Sequence, residues 1–268
     1  MKLSLITVNL NNKDGLQKTI NSVVSQTFKD FEWILIDGGS TDGSKELIEQ
    51  FSSHISYWVS EPDKGIYNAM NKGILKAKGE YCLFLNSGDY FADQEVLDKV
   101  FAVDFDEDVV YGNQIFDYGN NSKIVYGPNR VTLISLIYGN LPHSGCSIFK
   151  RVAFDKFGLY DESLKISSDW KWLLLSVGLK DATTRHIDVI MSVFDMNGIS
   201  VNNSELGKNE TNQVLDEYIP PKMRVDYEEY MALKEKLFQQ EVVIRNSKAY
   251  RLGNAILKPL KFFRNMFK

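Results

Sequence analysis

LIDGGSTDGS, at residues 35–44, is an apolar strand that runs into a glycine-rich turn bearing two carboxylates, Asp37 and Asp42. A turn of this kind suggests a phosphate-binding loop, but a P-loop needs Gly-Lys-Ser/Thr, whereas Gly43 is followed here by Ser-Lys. The turn also lacks the G-x-G-x-x-G motif of dinucleotide-binding proteins. Because its carboxylates repel phosphate, a nucleotide bound at this turn should contact it through an uncharged group.

Short apolar strands and helical patterns alternate on both sides of this turn. The alternation predicts a parallel sheet covered by helices on both faces. Beyond residue 91 the rhythm weakens, although a helix at 168–177 and a strand near 187–194 are still predicted. The earlier strands are predicted at 3–8, 31–36, 56–60 and 80–85, with helices at 16–28, 47–51 and 66–77.

Polar loops follow the four early strands. They begin at Asn9, Asp37, Glu61 and Asn86, and all but the first contain a carboxylate. Ligands of parallel sheets bind beyond the carboxyl ends of the strands. The four loops are therefore expected to converge on one crevice.

Composition and charge describe an ordinary globular protein, with 268 residues, 44% hydrophobic and 25% charged. A net charge of -4 argues against a nucleic-acid partner. Cys82 and Cys146 lie in apolar runs without C-x-x-C spacing, which predicts buried thiols in a reducing compartment. With no signal peptide and no apolar run of roughly 18 residues, the chain is expected to be cytoplasmic.

The composition turns polar after Asn202, which predicts a boundary between a domain at 1–203 and a helical extension at 204–268. Residues 247–268 contain basic but no acidic residues, and their apolar residues recur at helical spacing. Such a basic amphipathic pattern favours binding to an anionic membrane. The alternative is that the apolar stripe docks on the domain at 1–203 or on a second subunit of a homodimer. The stripe consists of Leu252, Ile256, Leu260, Phe263 and Phe267.

Five segments, in this order, resemble the family 2 nucleotide-sugar glycosyltransferases of the GT-A fold. They are TVNLNN from Thr7, SQTFKDFEWILIDGGSTDGS from Ser25, SEPDKGIYNAMNKGI from Ser60, FLNSGD from Phe84 and SSDWKW from Ser167. The segment from Ser60 further resembles bacterial exopolysaccharide and colanic-acid-type transferases. The resemblance implies an α/β, Rossmann-like GT-A domain with a helical C-terminal extension.

The resemblance also implies the reaction, which is transfer of a sugar from a nucleoside-diphosphate donor, UDP-linked, to an acceptor hydroxyl with inversion. Asp37 would accept a hydrogen bond from the base, and the glycines beside it would let the backbone approach closely. For several of these positions ordinary turn chemistry is the alternative. The implied donor-binding residues are Thr7, Asn9, Asp37, Asp63, Lys64, Asn71, Asn86 and His143.

The metal motif departs from the family pattern. The family usually presents Asp-x-Asp after the fourth strand, because Mg²⁺ or Mn²⁺ must bridge the protein and the diphosphate. Residues 86–89 here read Asn-Ser-Gly-Asp, so only Asp89 is a predicted metal ligand, and Asn86 would bind a ribose hydroxyl. The missing acids leave open a non-catalytic protein that only binds nucleotide sugars.

The general base is implied at Asp169, which begins a predicted helix, because inverting transfer needs a carboxylate to take the acceptor proton. Helix capping by Ser167, Ser168 and Asp169 is the alternative, and both roles are compatible. His143 would orient the diphosphate or the acceptor, unless it is a structural histidine.

The resemblance places the protein in cell-surface polysaccharide or lipid-linked oligosaccharide synthesis, on the inner face of a bacterial membrane. Sugar-phosphate nucleotidyltransferases share the general architecture but need a glycine-rich, basic N-terminal loop. TVNLNN has neither glycine nor a cation, so this class is disfavoured.

Overall fold

The computed structural model describes residues 1–139, 143–196, 203–250 and 252. Its strands form one mixed sheet. They are β1 (Leu3–Asn9), β2 (Phe31–Asp37), β3 (Tyr57–Ser60), β4 (Tyr81–Phe84), β5 (Tyr90–Phe91), β6 (Val109–Asp117), β7 (Ser122–Val125), β8 (Ser147–Lys150) and β9 (Thr184–Asp195). The spatial order is β3-β2-β1-β4-β8-β6-β9-β5, and β7 pairs with β6.

The helices lie mostly in the connections between these strands. α7 continues into a π-helical turn, Leu174–Gly178, so the helix predicted over 168–177 is present with a change of winding. The helices are α1 (Lys13–Val24), α2 (Ser44–Gln50), α3 (Ile66–Lys76), α4 (Val96–Phe101), α5 (Leu133–Tyr138), α6 (Arg151–Phe157), α7 (Ser168–Leu173), α8 (Ser204–Tyr218) and α9 (Pro221–Asn246).

The first half of the sheet confirms the predicted parallel arrangement. β1 pairs in parallel with β2 and β4, and β2 pairs in parallel with β3. The registers match Asn9 with Asp37 and Asp37 with Ser60, so these strands end at one edge. Buried apolar side chains, including Leu5, Trp33 and Leu83, fill the core beside them.

The second half of the sheet is mixed. β8 is antiparallel to both β4 and β6, while β9 runs parallel to β6. Through these pairings the end of β9, at Asp195, reaches the same edge as the loop after β4, because the backbone N–H of Asp195 donates to Asp89 Oδ1 at 3.1 Å. The edge therefore gathers polar residues from both halves of the sheet.

Cys82 and Cys146 are buried free thiols, as the sequence predicted. Burial raises the pKa of each to about 12, so both stay protonated at neutral pH. Neither thiol is suited to act as a nucleophile, because the thiolate is the reactive form.

The chain forms two compact units, residues 1–214 and 215–268. The sequence placed the boundary near residue 203, and the first part of α8 belongs to the first unit. There Glu210, which is buried, accepts hydrogen bonds from the backbone N–H groups of Lys165, Ile166 and Ser167 at 2.7, 2.9 and 3.0 Å. α8 thus fixes the backbone that leads into α7.

The second unit contains the end of α8 and the 26-residue helix α9, which has no buried residue. Within the described part of the chain, no helix combines the length and the apolar character required to cross a bilayer. Apart from Leu252, the basic amphipathic stripe predicted at 252–267 lies outside the described residues.

Candidate active site

A cavity of about 970 Å³ lies at the edge where the strands of both halves end. One wall is polar and includes Asn9, Asp63 and Asn86. Another part of the lining, the aromatic wall, includes Phe116 and Phe194, whose ring centroids lie 5.5 Å apart. Predicted site residues from separate parts of the sequence therefore meet in one cavity. Those that line it are Asn9, Asp63, Asn86, Asp89, His143 and Asp169.

Asp37 does not line this cavity. It is fully buried, and its carboxylate accepts hydrogen bonds from Asn9 Nδ2 at 2.7 Å, from the hydroxyls of Ser40 and Ser60 at 2.6 Å each, and from the Ser40 N–H at 2.9 Å. Burial acts to raise the pKa of Asp37, but these hydrogen bonds outweigh it and lower the pKa. Asp37 is thus an anion held by four hydrogen bonds behind the cavity, and its contact with the base stays a prediction.

Asn9 reaches the cavity in place of Asp37. Its amide nitrogen is held by Asp37, and its Oδ1 is buried without a hydrogen-bond partner among the described residues. Buried carbonyl oxygens are rarely left unpaired, because an unmade hydrogen bond costs about 1–3 kcal/mol. The orphaned oxygen marks a place where a ligand donor would bind.

Three further predicted donor-binding residues lie outside the lining. The Thr7 hydroxyl accepts a hydrogen bond from Trp33 Nε1 at 3.0 Å within the core. Asn71 is buried on α3, where its amide nitrogen donates to the Tyr160 carbonyl at 2.9 Å. Lys64 is exposed to solvent. The structure thus does not bring these three side chains to the cavity lining, and their contact with a donor stays a prediction.

Asp63 does line the cavity, and a glycine makes room for it. A Cβ atom on Gly38 would lie 2.5 Å from Asp63 Oδ2, so any larger residue there would displace the carboxylate. Asp63 Oδ1 also accepts from the Gly65 N–H at 2.8 Å. The lack of a side chain at Gly38, in the turn after β2, thus leaves space for the Asp63 carboxylate in the polar wall.

Asp89 and Asp195 form a pair of carboxylates in the cavity, and the second was not predicted from the sequence. Asp89 is 7% exposed. Burial raises the pKa of Asp89 to about 7; the N–H of Asp195 opposes this shift, and the negative charge of Asp195 adds to it. Gly88, at φ 108°, directly precedes Asp89, and Asp195 Oδ2 lies 3.7 Å from the position of a Cβ on Gly88. The sequence did contain one signal for Asp195, because it is a polar residue directly after the strand predicted near 187–194.

These residues fit a Mg²⁺ or Mn²⁺ ion. Asp89 and Asp195 supply two carboxylates, and Asn86 adds a buried Oδ1 that has no hydrogen-bond partner among the described residues. In the part of the chain that the structure describes, no group of three or more His, Cys, Asp or Glu side chains could hold a metal. Mg²⁺ needs only one or two carboxylates, since phosphate and water complete its coordination.

Asp169 is half-buried on α7 and lines the cavity. Its Oδ1 accepts hydrogen bonds from the Tyr67 hydroxyl and from the Trp170 N–H, each at 2.9 Å. Among the described residues no hydrogen bond reaches Oδ2. One carboxylate oxygen is therefore fixed by the protein, and the other is available to a substrate.

The start of α7 is not capped by serine side chains. Ser167 occupies the N-cap position without a side-chain capping bond, and its hydroxyl donates to the Gly207 carbonyl at 3.1 Å. The Ser168 hydroxyl accepts from the Asp161 N–H at 2.6 Å. The capping alternative drawn from the sequence therefore does not account for these serines, because both hydroxyls bind neighbouring segments.

His143 belongs to the aromatic wall. Its ring stacks on Phe194, with centroids 5.0 Å apart and an interplanar angle of 29°, and meets Phe116 edge-on at 5.2 Å. Loss of water around the ring lowers the pKa of His143, and the charge of Asp169 acts in the opposite direction. His143 is thus a neutral ring near Asp169 at neutral pH.

Comparison with known proteins agrees with this architecture. The family model described as Glycosyl transferase family 2 matches residues 4–158. An uncharacterised glycosyltransferase of Mycobacterium tuberculosis is 31% identical over 204 residues, covering 74% of this chain and 76% of that protein. A PGL/p-HBAD biosynthesis glycosyltransferase of Mycobacterium bovis is 27% identical, covering 72% of this chain and 76% of that protein.

Two solved structures share the fold. S. aureus TarS 1–349 in complex with UDP-GlcNAc has a TM-score of 0.64 at 22% identity, covering 76% of this chain and 61% of that chain. Mannosyltransferase PcManGT from Pyrobaculum calidifontis, in complex with GDP-Man and Mn²⁺, has a TM-score of 0.63 at 14% identity, covering 95% of this chain and 83% of that chain. The mixed sheet and these likenesses define an α/β domain of the GT-A fold. The chain belongs to glycosyl transferase family 2.

Proposed function

We propose that the protein is an inverting glycosyltransferase that moves a sugar from a nucleoside-diphosphate donor, UDP-linked by preference, to an acceptor hydroxyl. The observation that carries the proposal is the arrangement of one cavity. It contains the carboxylate pair Asp89 and Asp195 together with Asp169, whose Oδ2 is open to a substrate. The first two suit a metal-bound diphosphate, and the third suits proton removal from an acceptor.

The donor would bind along the polar wall. Asn9 Oδ1 can accept a hydrogen bond from the nucleoside, and Asp63 lies on the same wall. Asp89 and Asp195 would hold Mg²⁺ or Mn²⁺. The fold relative in complex with GDP-Man and Mn²⁺ supports the use of a divalent ion. When bound, the ion supplies positive charge that stabilises the departing diphosphate.

Asp169 would act as the general base. Its Oδ2 takes the proton of the acceptor hydroxyl while the hydroxyl oxygen attacks the anomeric carbon from the face opposite the diphosphate. The new glycosidic bond forms as the bond to the diphosphate oxygen breaks, so the configuration inverts and the proton remains on Asp169. The hydrogen bonds that Oδ1 accepts from Tyr67 and from the Trp170 N–H keep the ionised carboxylate oriented until Oδ2 takes the proton.

The transferred group is proposed to be a hexose or N-acetylhexosamine, used in cell-surface polysaccharide or lipid-linked oligosaccharide synthesis. The fold relatives in complex with UDP-GlcNAc and GDP-Man support these two sugar classes. The bacterial relative named for PGL/p-HBAD biosynthesis supports a role in a biosynthetic pathway. A non-catalytic nucleotide-sugar-binding protein is the competing function, and it is disfavoured because Asp195 supplies the second carboxylate missing from residues 86–89.

A donor panel tests the proposal. UDP-, GDP- and dTDP-linked glucose, N-acetylglucosamine and mannose are incubated with the protein and Mn²⁺, and nucleotide release is measured. We expect fastest release from a UDP-sugar, loss of release with EDTA, and recovery on adding Mg²⁺ or Mn²⁺. Tight donor binding without release of any nucleotide, with or without simple sugar acceptors and isoprenoid-linked sugars, would instead indicate the non-catalytic function.

Binding to an anionic membrane is proposed for the basic residues 247–268. Each Lys or Arg near an anionic leaflet contributes about 1 kcal/mol, so replacing Lys258, Lys261 and Arg264 by Gln should weaken binding about 100-fold. Co-sedimentation with phosphatidylglycerol vesicles measures this, and binding of the unmodified chain should fall as salt is raised. Equal recovery of both proteins in the supernatant would show that the stripe contacts protein instead.

A further inference from the structure

We propose that Tyr67 is a positioning residue that holds the Asp169 carboxylate so that Oδ2, and not Oδ1, receives the acceptor proton. This inference rests on the proposed function, since it concerns the candidate base of that reaction. Tyr67 lies in the first turn of α3, more than a hundred residues before Asp169 in the sequence, and no sequence pattern connects the two.

The geometry of the Tyr67 hydroxyl carries the inference. It lies 2.9 Å from Asp169 Oδ1 and 2.6 Å from the Ile166 carbonyl oxygen. The side chain is 4% exposed, and its ring lies against that of Tyr160, with centroids 5.7 Å apart. The position of the hydroxyl is therefore fixed by the packing of the buried ring and by contacts with protein groups.

The hydroxyl has one proton and two acceptors. Burial first, and then the charge of Asp169, raise the pKa of Tyr67 well above 10, so Tyr67 remains a donor at neutral pH. An ionised carboxylate is the stronger acceptor, because hydrogen bonds to charged groups are roughly twice as strong as neutral ones. Once Asp169 has taken the proton of the sugar-acceptor hydroxyl, the Tyr67 hydroxyl can donate to the Ile166 carbonyl instead. Asp169 Oδ1 then still accepts from the Trp170 N–H, so neither Tyr67 nor Asp169 is left without a hydrogen bond.

Two donors occupy Oδ1, since the Trp170 N–H also points to it at 2.9 Å. The carboxylate cannot rotate about its Cβ–Cγ bond without losing both hydrogen bonds. Oδ2 is thereby fixed as the oxygen that faces the cavity. α3 follows directly on the loop at 63–65, which contributes to the polar wall, so the same helix connects donor binding with the orientation of the base.

Tyr67→Phe tests the inference, and Tyr160→Phe is its matched control. Tyr160 also packs beside this site, but its buried hydroxyl has no hydrogen-bond partner among the described residues, so its removal breaks no such bond. The free energy of a hydrogen bond to a charged group corresponds to a factor of about 10 to 100 in a rate constant. Tyr67→Phe should therefore lower kcat by about this factor. Donor KM should change less than about twofold, because the hydroxyl acts only on the base.

A pH profile separates positioning from a general structural effect. Loss of a hydrogen bond to the charged carboxylate should move the acid limb of kcat to higher pH in Tyr67→Phe but not in Tyr160→Phe. Among the described residues, His143 and Tyr160 are coupled electrostatically to Asp169. The charged residues that line the same cavity are Asp63, Asp89, Lys123, Lys165 and Asp195. Tyr67→Phe leaves all of these groups in place, so an acid limb that shifts in this variant and not in Tyr160→Phe, at saturating Mn²⁺, reports on Asp169.

A second variant keeps the hydroxyl and the packing. Substitution of 3-fluorotyrosine at Tyr67 makes the phenol a stronger donor, so the acid limb should move to lower pH. An unshifted acid limb in both variants, with kcat of Tyr67→Phe equal to that of Tyr160→Phe, would overturn the inference while leaving the proposed function intact. Absence of turnover in the unmodified protein would instead count against the proposed function.

Discussion

Asp169→Asn is expected to lower kcat for sugar transfer about 10²- to 10⁴-fold, because an amide cannot take the acceptor proton. Asn can keep the Oδ1 acceptor for Tyr67 and for the Trp170 N–H, so the start of α7 should be preserved. Steady-state kinetics at saturating donor and acceptor measure the loss. Calorimetric titration of the donor should give an affinity within about twofold of the unmodified protein, since Oδ2 does not bind the donor in this mechanism.

The control for this substitution is Asp155→Asn. Asp155 lies on α6 with a 76% exposed side chain, and its ion pair with Arg151, at 3.9 Å, is on the surface. This variant should retain full turnover. Near-full turnover of Asp169→Asn would place the base elsewhere, whereas equal losses in both variants would indicate a general effect of removing a carboxylate.

Asp89→Asn is expected to remove the metal dependence of nucleoside-diphosphate binding. Loss of partners outside the first coordination sphere already costs about 10- to 100-fold in metal affinity, so loss of a ligand should cost at least about 100-fold. Calorimetric titration of UDP with and without Mn²⁺ measures the effect. Asn can still accept the N–H of Asp195 at Oδ1, so the loop after β4 should keep its shape.

This site should also depend on pH. Burial raises the pKa of Asp89 to about 7, so protons compete with the metal and Mn²⁺ affinity should fall as pH drops through this value. The dependence should be absent in Asp89→Asn. Asp195→Asn should weaken Mn²⁺ binding as well, and metal-enhanced UDP binding that survives in both variants would show that the ion lies elsewhere.

The sequence was informative where strands end at a common edge. Asn9 ends β1, while Asp63 and Asn86 follow β3 and β4, and the rule that the ends of parallel strands converge was enough to predict that they meet. It was less informative about which polar residue near a strand end reaches the cavity. Thr7 lies further inside β1, where its hydroxyl accepts a hydrogen bond from the indole N–H of Trp33. The Asp37 carboxylate is surrounded by hydrogen-bond donors of the protein.

Contacts between distant parts of the chain were not predictable. The proximity of Asp195 to Asp89 depends on mixed pairings of β4, β8, β6 and β9, which leave no periodic signal in a single sequence. Tyr67 reads as an ordinary apolar position of α3, because its partner lies on a different helix. Asp195 follows a predicted strand and Tyr67 lies on a predicted helix, but only the tertiary structure brings them to the candidate site.

The three hydrogen bonds of Glu210 limit where homologous proteins of this fold could exchange their C-terminal regions by recombination. The Glu210 carboxylate on α8 accepts hydrogen bonds from three backbone N–H groups just before α7. The segment that carries the candidate base is therefore held in place by a residue that lies after position 203. Recombination that grafts a foreign C-terminal region at residue 203 would retain every cavity side chain yet release that anchor. A working chimera must therefore inherit at least the first turns of α8 together with the sheet.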